Sequence, residues 1–293
     1  MKIKLGFTDY FKPIDEFFMD VLSKDFDIER DDENPDYLIF CDENFGTNNL
    51  KFDPQKVKKI FYTGENRRPW SYAAHHAISF DHLDGGQFYR LPLYVVEDWV
   101  QTTKMNLSSI VDLPRNASAK DKTGFCSFVA SNPNCEYRNH VFHALNQYKT
   151  VDSGGKLFNN IGGPLPQGSF ETSTDSHVAK YEFIKSRKFN LCFENGSYPG
   201  YLTEKLFHAL YANVVPIYWG SPTHALDFNP NAMISRHDFN TTEDFIRYIM
   251  LVDQNDDLYD NILKQPMFKE RNRFLDLNKF RLWFKTFVYK EEK

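Results

Sequence analysis

Short apolar runs bounded by turn residues recur along this chain, with amphipathic stretches between them, and that alternation limits the fold more than any other feature. Residues 2–7, 37–41, 59–63 and 77–80 read as strands, and 14–22 as a helix. A second series follows, with strands at 124–130, 150–152, 189–194 and 214–219 and helices at 135–148 and 203–212. Turns at 131–134, at Gly154-Gly155 and at Gly220-Ser221-Pro222, and a Gly/Asn/Pro-rich loop at 159–169, punctuate it. Strands alternating with helices imply an α/β fold, a parallel sheet covered on both faces. A polar stretch, 102–122, with Pro114, Asn116 and Ser118, is expected to join two domains of 1–115 and 122–265. A tail at 266–293 carries Phe274, Leu277, Phe280, Trp283 and Phe287 at helical spacing and is expected to pack back on the first domain. At 293 residues the chain suits two domains. Two such domains in series predict a cleft between open sheets, with ligands beyond the carboxyl ends of the strands.

No run of about 18 apolar residues appears, so no transmembrane segment is expected. The start, Met1-Lys2-Ile3-Lys4, turns polar too early for a signal peptide. The expected location is cytoplasmic unless a targeting segment was removed, with peripheral attachment to a membrane left open. A net charge of −5 argues against nucleic acid as a partner. Any anion must then be held by a local cluster of cations. Aromatic residues make up 16% of the chain, most of them expected in cores and a minority suited to the C–H faces of a sugar. The four cysteines lack C-x-x-C spacing, which disfavours zinc; Cys41, Cys126 and Cys192 read as buried thiols. Asparagine triplets at Asn106, Asn116, Asn195 and Asn240 carry little without a secretory signal. Asp25-Phe26-Asp27 matches a metal-holding D-x-D pattern but reads as a solvated loop, so no metal is expected to be required.

The chemistry concentrates in residues 193–205, which lead from a buried strand to a helix whose expected N-cap is Thr203. Free N–H groups at a helix start attract anions. Lys205 lies in that first turn, where the helix dipole disfavours a cation by about 0.3–1 kcal/mol. Either it is an exposed lysine paired with Glu204 or Glu194, or it helps the helix start to hold a phosphate. The turn at 131–139 repeats the arrangement, with Asn134 as expected cap and Arg138 in the first helical turn. Two cations at two strand-to-helix turns suit a diphosphate, Arg as a fork and Lys as a point charge. Neither G-x-x-x-x-G-K-[S/T] nor G-x-G-x-x-G is present, which disfavours a P-loop kinase and a standard NAD dehydrogenase. In the first half, Glu65 stands just past the strand at 59–63 and is read as a general base or as a surface glutamate. Asp42 and Glu43 compete for that role; so do His75 and His76, which read rather as structural.

The segment KFNLCFENGSYPGYLTEKLFHALYANVVPIYWGSP at 188–222 resembles the signature of the α1,3-fucosyltransferases, glycosyltransferase family ten. FYTGEN at 61–66, FCSFVASN at 125–132 running on to Arg138, and YKTVDSGGKLFNNIGG at 148–163 fit in family order and spacing. Bacterial members, the Helicobacter enzyme among them, are also similar at FDHLDGGQFYRLPLY, 80–94. The resemblance covers roughly residues 59–238; the first 58 match loosely, and the heptad repeats and basic tail of some bacterial members are not in this sequence. It implies a GT-B architecture of two Rossmann-like domains, the first on the acceptor side and the second binding GDP-fucose. It implies inverting, metal-independent transfer of fucose to an oligosaccharide hydroxyl, α1,3 or α1,3/4 on a GlcNAc-containing acceptor such as N-acetyllactosamine, as in Lewis antigen synthesis. No cofactor is expected, GDP-fucose being the donor substrate. By motif, Glu65 corresponds to the base, Arg138 and Lys205 to the diphosphate-holding residues, and Asn195, Tyr201 and Glu204 to donor-site residues. The alternatives are a transferase using another nucleotide sugar, or a non-catalytic relative that binds glycan or nucleotide.

Overall fold

The computed structural model describes residues 2–83, 86–166, 174–268 and 275–288, except the side chains of residues 174–176. Phe274, the ends of the tail, residues 167–169 of the Gly/Asn/Pro-rich loop, and Asp84 and Gly85 of the 80–94 segment lie outside the described residues. The chain forms two compact units, residues 1–99 with 273–293, and residues 100–272.

The first unit begins with β1 (Lys2–Thr8), α1 (Ile14–Ser23), β2 (Asp27–Arg30) and β3 (Tyr37–Phe40). It continues through β4 (Lys58–Tyr62), β5 (His76–Ser79), β6 (Phe88–Arg90) and α2 (Leu93–Trp99). All six strands are parallel, in the order β2-β1-β3-β4-β5-β6. β3 is buried along its length, as a strand between two covered faces must be. In α1, Ile14, Phe17, Phe18, Val21 and Leu22 fall on one stripe and are buried.

The second unit holds β7 (Gly124–Phe128), α3 (Glu136–Tyr148), β8 (Val151–Ser153), α4 (Thr174–Lys185) and β9 (Arg187–Phe193). It then adds α5 (Glu204–Tyr211), β10 (Val215–Trp219), β11 (Ile234–Ser235), α6 (Thr242–Gln254) and α7 (Asp256–Leu263). This sheet is also parallel, in the order β11-β10-β9-β7-β8. Taken along the chain, both sheets run second, first, third, fourth, fifth, with a sixth strand added in the first sheet, a doubly wound order. Helix α8 (Leu277–Val288) belongs to the first unit. Its Phe280 and Phe284 are fully buried; Phe280 meets Phe18, and Phe284 meets Phe26 and Tyr37.

Three expectations change. The acidic stretch around Asp25 is not a solvated loop: Phe26 is buried and Asp27 opens β2. Asp25 accepts from Arg281 Nε at 2.7 Å and pairs with Lys285 at 2.9 Å, so it anchors α8. The chain passes between units at Trp99–Val100, ahead of the polar stretch. That stretch is fastened to the second unit by main-chain carbonyls at helix ends, where cations are favoured. Lys122 Nζ donates to Lys185 O at 3.0 Å and Asn213 O at 2.7 Å, and Arg115 reaches Leu210 O at 3.3 Å. Finally, α3 is preceded by Cys135 rather than capped by Asn134, whose N–H instead donates to Asn132 Oδ1 at 2.8 Å.

One glycine fixes the carboxyl edge of the second sheet. Past β8, Gly155 packs against the backbone just after β7; a Cβ there would lie 2.0 Å from Ala130 O. Leu157 N–H donates to that same carbonyl at 3.0 Å. An alanine must push the two segments apart, so Gly155→Ala is expected to lose about 1–3 kcal/mol, the usual cost of overpacking. A fall in the urea midpoint at constant slope checks it; an unchanged midpoint would mean the segments have room to part.

Candidate active site

In the second sheet β7 is followed by β8 on one side and lies beside β9 on the other. Connections that leave neighbouring strands in opposite directions open a crevice at their carboxyl ends, the usual ligand position in such sheets. The residues after β7 and after β9 therefore form the natural site, and the chain places its charged groups there.

Arg138, in the first turn of α3, is fully buried. Its Nη1 donates to Asn195 Oδ1 at 2.8 Å, and Nη2 donates to the Asn132 carbonyl. Nε is buried with no partner among the described residues. Burial pushes the guanidinium pKa down, opposed by Cys135, Glu194 and Tyr201. Arg138 thus joins the loop after β7 to the loop after β9, with one donor uncommitted.

Glu194, directly after β9, has no exposed surface. It accepts from Thr203 N–H at 2.9 Å, Thr203 Oγ1–H at 2.7 Å and Lys205 Nζ at 3.2 Å. Lys205 also donates to Thr203 Oγ1 at 3.0 Å and Glu204 Oε1 at 3.3 Å. Burial works to lower the Lys205 pKa, but the two carboxylates outweigh it and the net shift is upward, so the ammonium stays charged. Lys205 is not an exposed lysine: its side chain is 16% accessible. It is nevertheless paired with both glutamates, at 3.2 Å and 3.3 Å. Thr203 stands at the N-cap of α5 as expected, yet makes no capping bond. Tyr201 is fully buried.

The sites read from sequence therefore gather in one place: Arg138 with Asn195, and Glu204 and Lys205 with Thr203, joined by Glu194. From sequence, Glu194 is only a pairing partner for Lys205. Its position as the first residue past a fully apolar strand end was the one available signal.

In the first unit the corresponding crevice, between β1 and β3, is closed by its own chain. Asp9 accepts from Asn48 N–H at 3.0 Å, Asn49 N–H at 2.6 Å and Asn49 Nδ2 at 3.1 Å. Gly46, at φ 134°, comes so near that a Cβ there would lie 2.4 Å from Asp9 Oδ1. The next open strand end is that of β4, and there Glu65 is exposed. Its main chain is pinned: Glu65 N–H donates to Thr63 Oγ1 at 3.0 Å, and the Thr63 hydroxyl donates back to Glu65 O at 3.2 Å. The competing groups have these surroundings. Glu43 holds Tyr72 OH at 2.6 Å and Arg67 at 3.2 Å, which keep its carboxyl below the ordinary range. Asp42 is buried, with Oδ1 on Asn44 N–H at 3.0 Å. His75 Nδ1 accepts Lys59 N–H at 3.0 Å, and His76 stacks on Phe287 at 3.7 Å. All four cysteines are buried free thiols. No helix among the described residues is long and apolar enough to cross a membrane.

Comparison with known proteins adds names to this geometry. Residues 118–272 match the family model "Glycosyltransferase family 10 (fucosyltransferase) C-term". Residues 4–97 match "Alpha-(1,3)-fucosyltransferase FucT N-terminal domain", which extends the likeness into the segment where the sequence alone fits loosely. The chain is 35% identical over 241 residues to the alpha-(1,3)-fucosyltransferase FucT of Helicobacter pylori, covering 73% of this chain and 48% of that protein. It is 36% identical over 116 residues to GDP-fucose protein O-fucosyltransferase 3 of Gallus gallus, covering 39% of this chain and 24% of that one. The chain thus spans about half the length of the first relative and less of the second. Among solved structures, an alpha1,3-fucosyltransferase aligns with a TM-score of 0.80 at 28% identity, covering 97% of this chain and 89% of that one. A complex of alpha1,3-fucosyltransferase with GDP-fucose aligns with a TM-score of 0.77 at 29% identity, covering 97% and 90%.

Proposed function

This chain belongs to glycosyltransferase family 10, the fucosyltransferases, and from that premise we propose that it transfers L-fucose from GDP-fucose to a hydroxyl of a GlcNAc-containing glycan such as N-acetyllactosamine. The observation that carries the reading is the pair of cations, the buried Arg138 and the half-buried Lys205, at the β7/β9 crevice beside a helix start that its N-cap side chain leaves uncapped. Few ligands other than a diphosphate call for two cations beside a helix start.

The reaction is a direct displacement with inversion. The acceptor oxygen bonds to the anomeric carbon while the bond from that carbon to the β-phosphate oxygen breaks, and GDP leaves as an anion. Glu65 takes the acceptor's hydroxyl proton. Arg138 and Lys205, with Asn195 holding the guanidinium fork, oppose the charge that grows on the leaving group; preorganised donors of this kind contribute several kcal/mol each. With two fixed cations in that role, no divalent metal is required and no cofactor takes part. Tyr201 and Glu204 flank the fucose and ribose. The product linkage is α1,3, or α1,3 with α1,4, and the setting is the cytoplasm or the inner face of the membrane.

One incubation tests the reading: the full chain with GDP-fucose and type 1 or type 2 lactosamine acceptors, with and without EDTA. Fucosylated product at the same rate in EDTA is expected, its linkage fixing the regiochemistry. Transfer to none of the acceptors, or transfer abolished by EDTA and restored by a divalent metal, would overturn the reading or its metal-free step respectively.

A further inference from the structure

A threonine at a helix N-cap ordinarily turns its oxygen inward to accept an N–H from the second or third helical residue. Thr203 does not. Its hydroxyl proton is given to Glu194 Oε2 at 2.7 Å, and its oxygen accepts from Lys205 Nζ at 3.0 Å. The hydroxyl has one proton to give, and Glu194 has claimed it. Glu194 itself cannot swing away. Its other oxygen holds Thr203 N–H at 2.9 Å, and Gly220 lies so near its stem that a Cβ there would come within 2.4 Å of Glu194 Cγ. The carboxylate faces three donors and has no exposed surface.

We propose that Glu194 is a positioning residue for the donor diphosphate, holding the N-cap hydroxyl away from the first N–H groups of α5 and the Lys205 ammonium in place beside them. The proposal rests on the reading that the diphosphate binds at this crevice. It has a sign that simple charge does not share. A carboxylate near a phosphate should, by Coulomb's law alone, weaken anion binding, so removing its charge should tighten GDP. As a positioning residue, Glu194 acts the other way: without it the Thr203 hydroxyl can cap α5 in competition with phosphate, and Lys205 loses an anchor for a side chain rich in rotamers.

Calorimetric titration of the full chain with GDP and, separately, with guanosine decides the matter. The wild type should bind GDP more tightly than guanosine; if it binds no GDP, the donor-site reading itself fails. Glu194→Gln should weaken GDP by about tenfold, the loss of one charge-assisted hydrogen bond, and leave guanosine unchanged. GDP binding that is equal or tighter overturns the proposal, as does an equal loss for both ligands, which would mark general loosening. If Glu194→Gln does not fold, Thr203→Val and Thr203→Ser carry the test. Val has no hydroxyl to compete for the first N–H groups but lacks the oxygen that steadies Lys205 at 3.0 Å, so it should show a smaller GDP-selective loss from the ammonium alone, while Ser keeps the hydroxyl and should bind as wild type. A Val variant that binds GDP normally overturns the proposal.

Discussion

Lys205→Met should lower kcat/KM for GDP-fucose by about 10²–10³-fold, the cost of removing one preorganised donor from a developing anion. The same change should also destabilise the fold. Glu194 has no exposed surface, and Lys205 is its ion-pair partner among the described residues, at 3.2 Å. Removing one member of a buried pair strands the other, at about 3–5 kcal/mol. The two losses separate in a double variant. Glu194→Gln with Lys205→Met leaves no stranded charge, so thermal stability should return towards the wild type while activity stays low. Melting curves and donor kinetics on the four proteins of that cycle make the check. If activity returned along with stability, Lys205 would serve the fold alone and its phosphate role would be wrong. A Lys205→Met enzyme within tenfold of the wild type would lead to the same conclusion. Arg138 offers a parallel measurement. It is more deeply buried, and its fork spans Asn132 and Asn195. Arg138→Lys keeps the charge but cannot bridge both loops, so it should recover only part of the activity lost in Arg138→Ala.

The inner strands were legible because both faces of each sheet are covered, whereas β6 and β11, short strands at sheet edges, were not. Inner-strand residues, such as Tyr37–Phe40 with every position buried, read as short apolar runs with no polar alternation to confuse them. β2 was hidden for the opposite reason. It is an edge strand of sequence Asp27-Ile28-Glu29-Arg30, mostly exposed, and its charges suit an edge that must not pair with another chain. The cations at the two strand-to-helix turns could be found because the helix dipole makes them misfits in a first turn. What joins them could not be found that way. Glu194 meets Thr203 nine residues away through a loop that folds back on itself, and spacing alone does not encode such a contact. The polar stretch misled on the domain boundary because Arg115 and Lys122 look like linker residues. Only the helix-end carbonyls they reach reveal them as fasteners.

Glu65→Gln should lower kcat by about 10²–10⁴-fold, the range of a lost general base, with donor KM and GDP affinity near the wild type. The separation follows from where the groups lie in the chain. The cations and the uncapped helix belong to the second unit and Glu65 to the first, so the change alters the proposed proton acceptor and none of the second unit's own groups. Stability should hold as well, because Glu65 is exposed and its main-chain bonds to Thr63 survive the substitution. The neighbouring carboxylates serve as controls. Glu43 is held by Tyr72 and Arg67, which stabilise its charge and make it a poorer base. Glu43→Gln should therefore cost activity only through the loosened loop, less than Glu65→Gln. Asp42 is buried, so Asp42→Asn should act on folding rather than on turnover. If Glu43→Gln proved the more damaging change, the proton would be passing to Glu43 and the base would have to be reassigned. A Glu65→Gln enzyme with near-normal kcat would remove Glu65 from the chemistry altogether, while leaving the diphosphate site of the second unit as it stands.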